Sequence, residues 1–591
     1  MKKRSEFLTI LILLLQISVL YSCESQKTEQ SKPNIILIMS DDQGWGDMEL
    51  AGNKIIDTPH LNTIATNGTQ FERFYVNPMC APTRASLLTG KYNLRTGTSW
   101  VGRRTDFLRL NETTIAEILK TEGYATGCYG KWHLGAYGPY HPNERGFDDY
   151  TGILEGATRN YYNTEMNNNG KNYRTNDYIT DVLTDSALSF IERNKSKPFF
   201  CYIPYNVPHH PFQVPVEYFN KYKESGVAED NVATVYGMID NMDENIGRIL
   251  QRIEEYNLTE NTIIIFMSDN GPAFFRYNDG LAGKKAGVSE GSVRVPFYIQ
   301  WKGKIPEGRR IFDIAAHIDI LPTLLDAAGI NLDRKLGVDG ISLMPLIIED
   351  NNPEPDRMIF THQTIFGRSE IIPGGLRTQK YRLEKWQNDY ELYDMQNDPS
   401  QKRNIAGKKP GLTNELIQKY EAWYANVTKD GLEKPPVPVG YPGYDSVGII
   451  APDALISQNL KYSGRYGWVD DYVINWKNTN DSVIWEIDVY EAGEYNFIMH
   501  YYCDNNNPGA EFKLSGSNGT IDNIVTETKP QKVVLEEIHN MNNPPKNIYW
   551  LKLELGSMHL DKGPQKLLLQ AVNIPGEYAA EVRKLEIIPK Q

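Results

Sequence analysis

A chain of 591 residues with 40% hydrophobic and 23% charged side chains is long and apolar enough for more than one packed domain. Five cysteines in that length cannot build a disulfide framework, and a net charge of −13 argues against a nucleic-acid partner, which needs a broad basic face to neutralise phosphates. Any anionic substrate must therefore be met by basic residues gathered locally.

The N-terminus reads MKKRSEFLTILILLLQISVLYSC, a basic start followed by an apolar run over residues 7–20 that is too short for an ordinary spanning helix. Residues 1–22 read as an export signal. It ends in Leu20-Tyr21-Ser22-Cys23, which resembles a bacterial lipobox. That resemblance implies cleavage before Cys23, acylation of its thiol, and a lipid anchor in the Gram-negative cell envelope, at the outer membrane on its periplasmic or surface face. Residues 23–32, CESQKTEQSK, form a polar tether.

Two stretches then echo each other. NIILIMSDD from Asn34 and TIIIFMSDNG from Thr262 are continuous apolar runs ending in acids or amides. Unbroken β-branched runs predict fully buried strands of a parallel sheet, and helical patterns lie between them, in TTIAEILK from Thr113 and over residues 233–253. Residues 33–345 are therefore expected to form an α/β, doubly wound domain with a parallel or mixed sheet. Ligands gather at the carboxyl ends of such strands, where Asp41, Asp42, Asp269 and Asn270 offer hard oxygens suited to Ca²⁺ or Mg²⁺.

Between the echoes lies CAPTR, Cys80 to Arg84, continuing to Ser86-Leu87-Leu88-Thr89-Gly90. This resembles the C-x-P-x-R signature of the formylglycine-dependent (type I) sulfatases of the alkaline phosphatase superfamily. GYAT at Gly123 leads to GKWHLG at Gly130, similar to the family's second signature, with Tyr129 where a smaller residue is usual. His141-Pro142 with Arg145-Gly146-Phe147-Asp148, then Pro208-His209, then Leu281 through Lys285 to EGSVRVP at Glu290, match further motifs, Ser292 replacing a glycine that is expected to be dispensable. Asp319-Ile320-Leu321-Pro322-Thr323, and ELYD at Glu391 with Asp398-Pro399 and Asn404, resemble late landmarks. The likeness runs over about residues 33–430 and implies an alkaline-phosphatase-like fold with a small α+β C-terminal subdomain at 346–430.

The resemblance implies a sulfuric ester hydrolase in which a maturing enzyme oxidises Cys80 to formylglycine (3-oxoalanine), whose hydrate attacks sulfur. A plain hydroxyl could be sulfated but could not expel the group again, whereas a diol does so by re-forming the carbonyl. The implied metal cage is Asp41, Asp42, Asp269, Asn270 and the residue-80 oxygen, holding Ca²⁺ in preference to Mg²⁺. Arg84 would hold the hydrate, Lys131 and Lys285 would grip the sulfate oxygens, His209 with help from Lys285 would protonate the leaving alcohol, and His133 would be the base. His60, His210 and His317 read as structural or solvated, Cys128 and Cys201 as buried beside strands, and Cys503 as a strand residue. Arg103 and Arg104, a short way after the nucleophile, are candidates for the pocket rim, where guanidinium groups would meet the carboxylates or further sulfates of a polyanionic sugar.

After residue 430 helical periodicity gives way to alternation. Residues 431–446 read as a proline-rich linker, and residues 447–591 as a β-sandwich of jelly-roll type, with strands expected near 483–489, 495–501, 532–536, 550–555 and 566–570. Such a domain either binds carbohydrate or packs on the active-site rim. The chain reads first as a sulfatase acting on oligosaccharides from a sulfated algal or host polysaccharide. The alternatives are a phosphoester or phosphonate hydrolase of the same superfamily and a non-catalytic surface glycan-binding protein.

Overall fold

The computed structural model describes residues 32–349, 351–535, 541–543 and 546–590, so the signal segment and Cys23 lie outside the described residues. Among the described residues no helix is long and apolar enough to cross a membrane. Four parallel strands hold the centre of a ten-stranded sheet: β1 (Asn34–Ser40), β2 (Ala125–Lys131), β3 (Phe199–Pro204) and β4 (Thr262–Ser268), in the order β4-β1-β3-β2. Alternate side chains feed two separate cores. Ile35, Leu37 and Met39 join Ile263, Ile265 and Met267 on one face, while Ile36 and Ile38 join Ile264 and Phe266 on the other. Burial on both faces is why these strands read as unbroken apolar runs. Residues Phe297–Gln300 run antiparallel against β4, and Glu165–Asn168 form an antiparallel strand toward the other edge, so the sheet is mixed.

The register of β1 on β4 brings the acidic strand ends together. Asn34 lies opposite Thr262 and Ser40 opposite Ser268, so Asp41-Asp42 and Asp269-Asn270 leave the sheet side by side at its carboxyl end. The helices that flank it include α1 (Cys80–Thr89), α2 (Ile115–Thr121) and α3 (Asp230–Glu255). The first turn of α2 is closed by a reciprocal capping box between Thr114 and Glu117. Every residue of α1 is buried, and Gly90 at φ 68° ends it in the left-handed region that glycine adopts without strain.

A four-stranded antiparallel sheet spanning Ile359–His362 to Glu391–Asp394, covered by the helix Pro410–Val427, forms the C-terminal subdomain. The helix Met344–Glu349 straddles the expected boundary at 345/346. Leu343, Met344, Leu346 and Ile347 pack into the first core, so the α/β domain runs through this helix.

Beyond it, two six-stranded sheets enclose a third core. Strand Ser482–Val489 shows the expected alternation of buried and half-buried residues. Two expectations need correction. Within the proposed linker, Val437–Val439 is a buried strand pairing with Ile487–Val489, because its two valines complete the sandwich core and Pro438 is tolerated at a sheet edge. Near 532–536, Val533–Leu535 pairs with Lys546–Ile548 in a separate two-stranded hairpin that joins neither large sheet. Cys503 sits one residue past the strand Gly493–Tyr502, and Cys128 and Cys201 are buried in β2 and β3. Phe107, Tyr137 and Tyr140 of the α/β domain enter the sandwich core, and Tyr137 Oη donates to Asp453 at 2.8 Å, so the two domains share packed interior.

Candidate active site

The carboxyl ends of β1, β2 and β4 and the start of α1 converge on one buried cluster. Cys80 is the first residue of α1, 3% exposed, and Arg84 follows one turn later on the same face. Arg84 donates to the Lys131 carbonyl at 2.6 Å and to Asp269 Oδ2 at 2.8 Å, with Asp41 Oδ2 at 3.7 Å. Lys131, the last residue of β2, donates to Asp41 Oδ2 at 2.6 Å. Lys285 pairs with Asp42 Oδ1, to which Asn270 Nδ2 also donates at 2.8 Å. His209 follows β3, its Nε2 3.9 Å from Asp42 Oδ2, and its Nδ1–H donates to the His210 carbonyl at 2.6 Å, leaving Nε2 directed to the site. Asp42, His133 and Ala286, next to Lys285, hold left-handed backbone at φ 69°, 62° and 65°, a strain that recurs where side chains must be aimed.

All ten predicted catalytic and metal residues therefore meet here, gathered from five separate parts of the chain. Asp41, Asp42 and Asp269 face Arg84, Lys131 and Lys285, so the formal charges balance. Burial opposes the charge on Asp41, yet Lys131, followed by His209 and Arg84, holds its carboxyl far below the usual range. Burial and the neighbouring Asp41 charge push Asp269 up against the pull of Arg84. Lys285 stays protonated because Asp42 outweighs its burial, and burial keeps Cys80 a neutral thiol in spite of the two lysines. Burial depresses His209 to about 4 and His133 well below its usual value, so both rings are neutral near pH 7.

The donor set fits a hard divalent cation. The ligating atoms of Asp41, Cys80 and Asp269 lie within 4.8 Å of one another, as do those of Asp41, Asp42 and His209. Asp41 Oδ1 and Asn270 Oδ1 are buried without a hydrogen-bond partner, a costly state that a cation would relieve. Adding two positive charges to a balanced cluster would also leave it ready for an anion.

Nearby packing explains several sequence departures. A side chain at Gly130 would meet the Pro204 carbonyl at 2.0 Å, so only glycine lets β2 lie this close to β3 before Lys131. Tyr129 is accommodated because its hydroxyl reaches Asp149 at 2.9 Å. Ser292 fits because Gly283 and Gly287 face it, with their missing Cβ positions 2.3 and 2.4 Å from its Oγ. His317 is structural as expected, held between Asn77 at 2.9 Å and the Tyr75 carbonyl at 3.1 Å. The sequence reading missed Arg276, which binds Asp47 at 2.7 Å and the Asp42 carbonyl at 3.1 Å and so supports the metal-side loop. It also missed the buried joint of Glu290 with Arg377 and Arg382, which ties the lysine loop to the C-terminal subdomain. Neither has a local pattern, because each partner lies far away in sequence.

The two rim arginines divide. Arg104 is 3% exposed and turned away from solvent, donating to the Pro435 carbonyl at 2.9 Å and pairing with Glu486 of the sandwich at 3.0 Å. It joins domains and is not a rim residue. Arg103 lies over the Tyr462 ring at 5.6 Å and lines a cavity with Phe366, Arg368 and Lys434.

Comparison with known proteins identifies the family. Residues 33–330 match the sulfatase family, and residues 282–425 match the C-terminal region of N-sulphoglucosamine sulphohydrolase. The chain is 27% identical to N-acetylglucosamine-6-O-sulfatase of Bacteroides thetaiotaomicron, over 68% of this chain and 87% of that protein. It is 29% identical to N-acetylgalactosamine-6-sulfatase of Canis lupus familiaris, over 64% of this chain and 76% of the relative. Among solved structures, Ps i-CgsB in complex with k-i-k-neocarrahexaose superposes with a TM-score of 0.63 at 31% identity, covering 66% of this chain and 93% of that one. The chain belongs to the sulfatase family, with the alkaline-phosphatase-like fold, and is a sulfuric ester hydrolase.

Proposed function

We propose that the protein removes sulfate from carbohydrate, acting on oligosaccharides of a sulfated polysaccharide, with formylglycine at position 80 and Ca²⁺ in the acidic cage. The observation that carries this reading is the buried convergence of Cys80 with three carboxylates and three fixed cations, two of its oxygens lacking any partner. Carbohydrate sulfatases among the relatives, and the k-i-k-neocarrahexaose in the similar Ps i-CgsB structure, support the substrate class.

Asp41, Asp42, Asp269 and Asn270 would hold the cation, all through oxygen, which favours Ca²⁺ over softer metals. The cation would supply Lewis-acid polarisation, and the hydrated aldehyde a nucleophile that the neutral, buried Cys80 thiol is not. Arg84 fixes the floor of the site through Asp269 and the Lys131 carbonyl. Lys131 and Lys285 bind and orient the sulfate oxygens as point charges. His209 stands on the open side, its side chain 19% exposed, with Nδ1–H committed to the His210 carbonyl. A sulfate ester beside it raises its proton affinity, so that Nε2–H forms and is delivered to the leaving alcohol. His133, neutral and with a buried, unpartnered Nδ1, accepts the proton released at residue 80.

The experiment is mass spectrometry of the Cys80 peptide from hosts with and without a sulfatase-maturing enzyme, beside turnover of aryl sulfate and aryl phosphate and of N-acetylglucosamine 6-sulfate. An unmodified thiol in fully active protein contradicts the nucleophile, and a preference for the phosphate moves the chain to the phosphoester alternative. Export and lipid anchoring through Cys23 belong to the same reading and rest on the N-terminal pattern. Cys23→Ala should release the protein from the membrane fraction, and unchanged membrane association would refute the anchor.

A further inference from the structure

Both family matches end by residue 425, yet one loop of the sandwich packs against Trp100 and Phe366, which lie within the matched range. It joins strands Lys461–Tyr462 and Val473–Ile474 and is folded around the buried Asp471 carboxylate. That group accepts from Ser463 Oγ at 3.1 Å and from the backbone N–H groups of Gly464, Gly467 and Trp468 at 2.6, 2.8 and 2.7 Å. So tied, the loop holds exposed Arg465 at φ 79° and sets two aromatic rings against the α/β domain and the C-terminal subdomain. Tyr466 stacks on Phe366, centroids 4.4 Å apart and planes 5° from parallel. Trp468 lies 5.5 Å from Trp100, and Trp100 belongs to the small buried cluster that also holds Met79, Cys80 and Ala81. On its other side the loop is pinned by Asp470, whose carboxylate is 3.3 Å from Arg159.

Trp468 and Phe366 remain 39% and 47% exposed, an unusual cost for rings so firmly held, and both adjoin Trp100, whose buried cluster includes Cys80. Beside Phe366 opens a cavity of about 640 Å³ whose charged lining is Arg103, Arg368 and Lys434 against Glu370. Flat aromatic faces receive the C–H faces of a pyranose, and an excess of cations receives its sulfate or carboxylate.

We propose that this loop completes the substrate site: Trp468, with the Tyr466–Phe366 pair, stacks the sugar residue next to the sulfated one, and Arg103, Arg368 and Lys434 meet that residue's anionic group. The sandwich domain is then a fixed wall of the active site, because the Asp471 hydrogen bonds order its platform before substrate arrives. The inference rests on the sulfated-oligosaccharide reading.

The test uses the full-length, formylglycine-containing protein, its Trp468→Ala and Trp468→Phe variants, 4-nitrophenyl sulfate, and matched monosaccharides and hexasaccharides from carrageenan, chondroitin sulfate and heparin. In at least one series the parent should show higher kcat/KM on the hexasaccharide than on the monosaccharide. Trp468→Ala should cut kcat/KM on that hexasaccharide about five- to tenfold further than on 4-nitrophenyl sulfate, the size of one lost aromatic contact, with Trp468→Phe falling between. Equal losses on long and small substrates, or a parent indifferent to chain length in every series, would overturn the proposal. A parent that hydrolyses 4-nitrophenyl sulfate but no sugar overturns the carbohydrate reading itself, which separates the two failures.

Discussion

Replacing Arg84 asks whether the buried cluster is one electrostatic unit. The guanidinium is fully buried and spans the Lys131 carbonyl at 2.6 Å and Asp269 Oδ2 at 2.8 Å, with Asp41 at 3.7 Å. Arg84→Ala removes both bonds and leaves the buried Asp269 carboxylate without its cation, while Asp41 keeps Lys131. Breaking a buried pair from one side costs about 3–5 kcal/mol, since the remaining charge is uncompensated. At ~2 °C per kcal/mol for a domain of this size, the thermal midpoint of the α/β domain should fall by roughly 6–10 °C. Arg84→Lys keeps the charge, but a single ammonium cannot serve both acceptors, so its midpoint should lie between the two. Calorimetry of the three proteins in chelator, paired with kcat/KM on 4-nitrophenyl sulfate, makes the measurement. A midpoint within about 2 °C of the parent, which is ~1 kcal/mol on the same scale, together with near-parental turnover in Arg84→Ala, would refute the idea that Arg84 holds this site together.

Three further outcomes are expected from the same contacts. Exhaustive chelation should abolish turnover and Ca²⁺ should restore it, raising the thermal midpoint with concentration as for any ligand of the folded state; activity that survives chelation contradicts the cage of Asp41, Asp42, Asp269 and Asn270. Burial depresses the His317 imidazole to about 3 against its bond to the Tyr75 carbonyl, so its contribution to stability is present above about pH 6.5 and is lost as pH falls toward 3; His317→Gln should be less stable than the parent at pH 7.5 but close the gap by up to about 1.4 kcal/mol per pH unit on acidification, and a constant gap in urea titrations would disprove the linkage. Arg104→Ala loses its bonds to the Pro435 carbonyl and to half-exposed Glu486, and should expose residues 431–446 to limited proteolysis without raising the salt sensitivity of kcat/KM; unchanged cleavage would remove Arg104 from the domain joint.

Much of the catalytic centre was legible before any fold was known. The runs at Asn34 and Thr262 could only be doubly covered strands, and their like endings foretold that Asp41, Asp42, Asp269 and Asn270 would meet. Their residue-for-residue pairing delivers that meeting. Cys80, Arg84, Lys131, His209 and Lys285 were legible through motif context, since each is tied to a local backbone feature, a helix start, a strand end or a strained turn. Arg103 and Arg104 were not. Two adjacent arginines in one loop look alike as sequence, yet neighbouring side chains leave the backbone in different directions, and one entered a domain joint while the other lined a cavity.

What the sequence by itself determined is therefore the α/β core, the acidic strand ends and the position of Cys80, because periodicity and motif are properties of neighbouring residues. Tertiary structure alone decided that Val437–Val439 belongs to the sandwich, that Arg276 and Glu290 brace the site from behind, and that Trp468 stands against Trp100, whose buried cluster holds Cys80. These are contacts between segments that are far apart in the chain, the nearest pair separated by some fifty residues. Alternation in a strand tells which face is buried, but what covers it is set only when whole domains dock, through Phe107, Tyr137 and Tyr140 entering a core that their own segment does not announce.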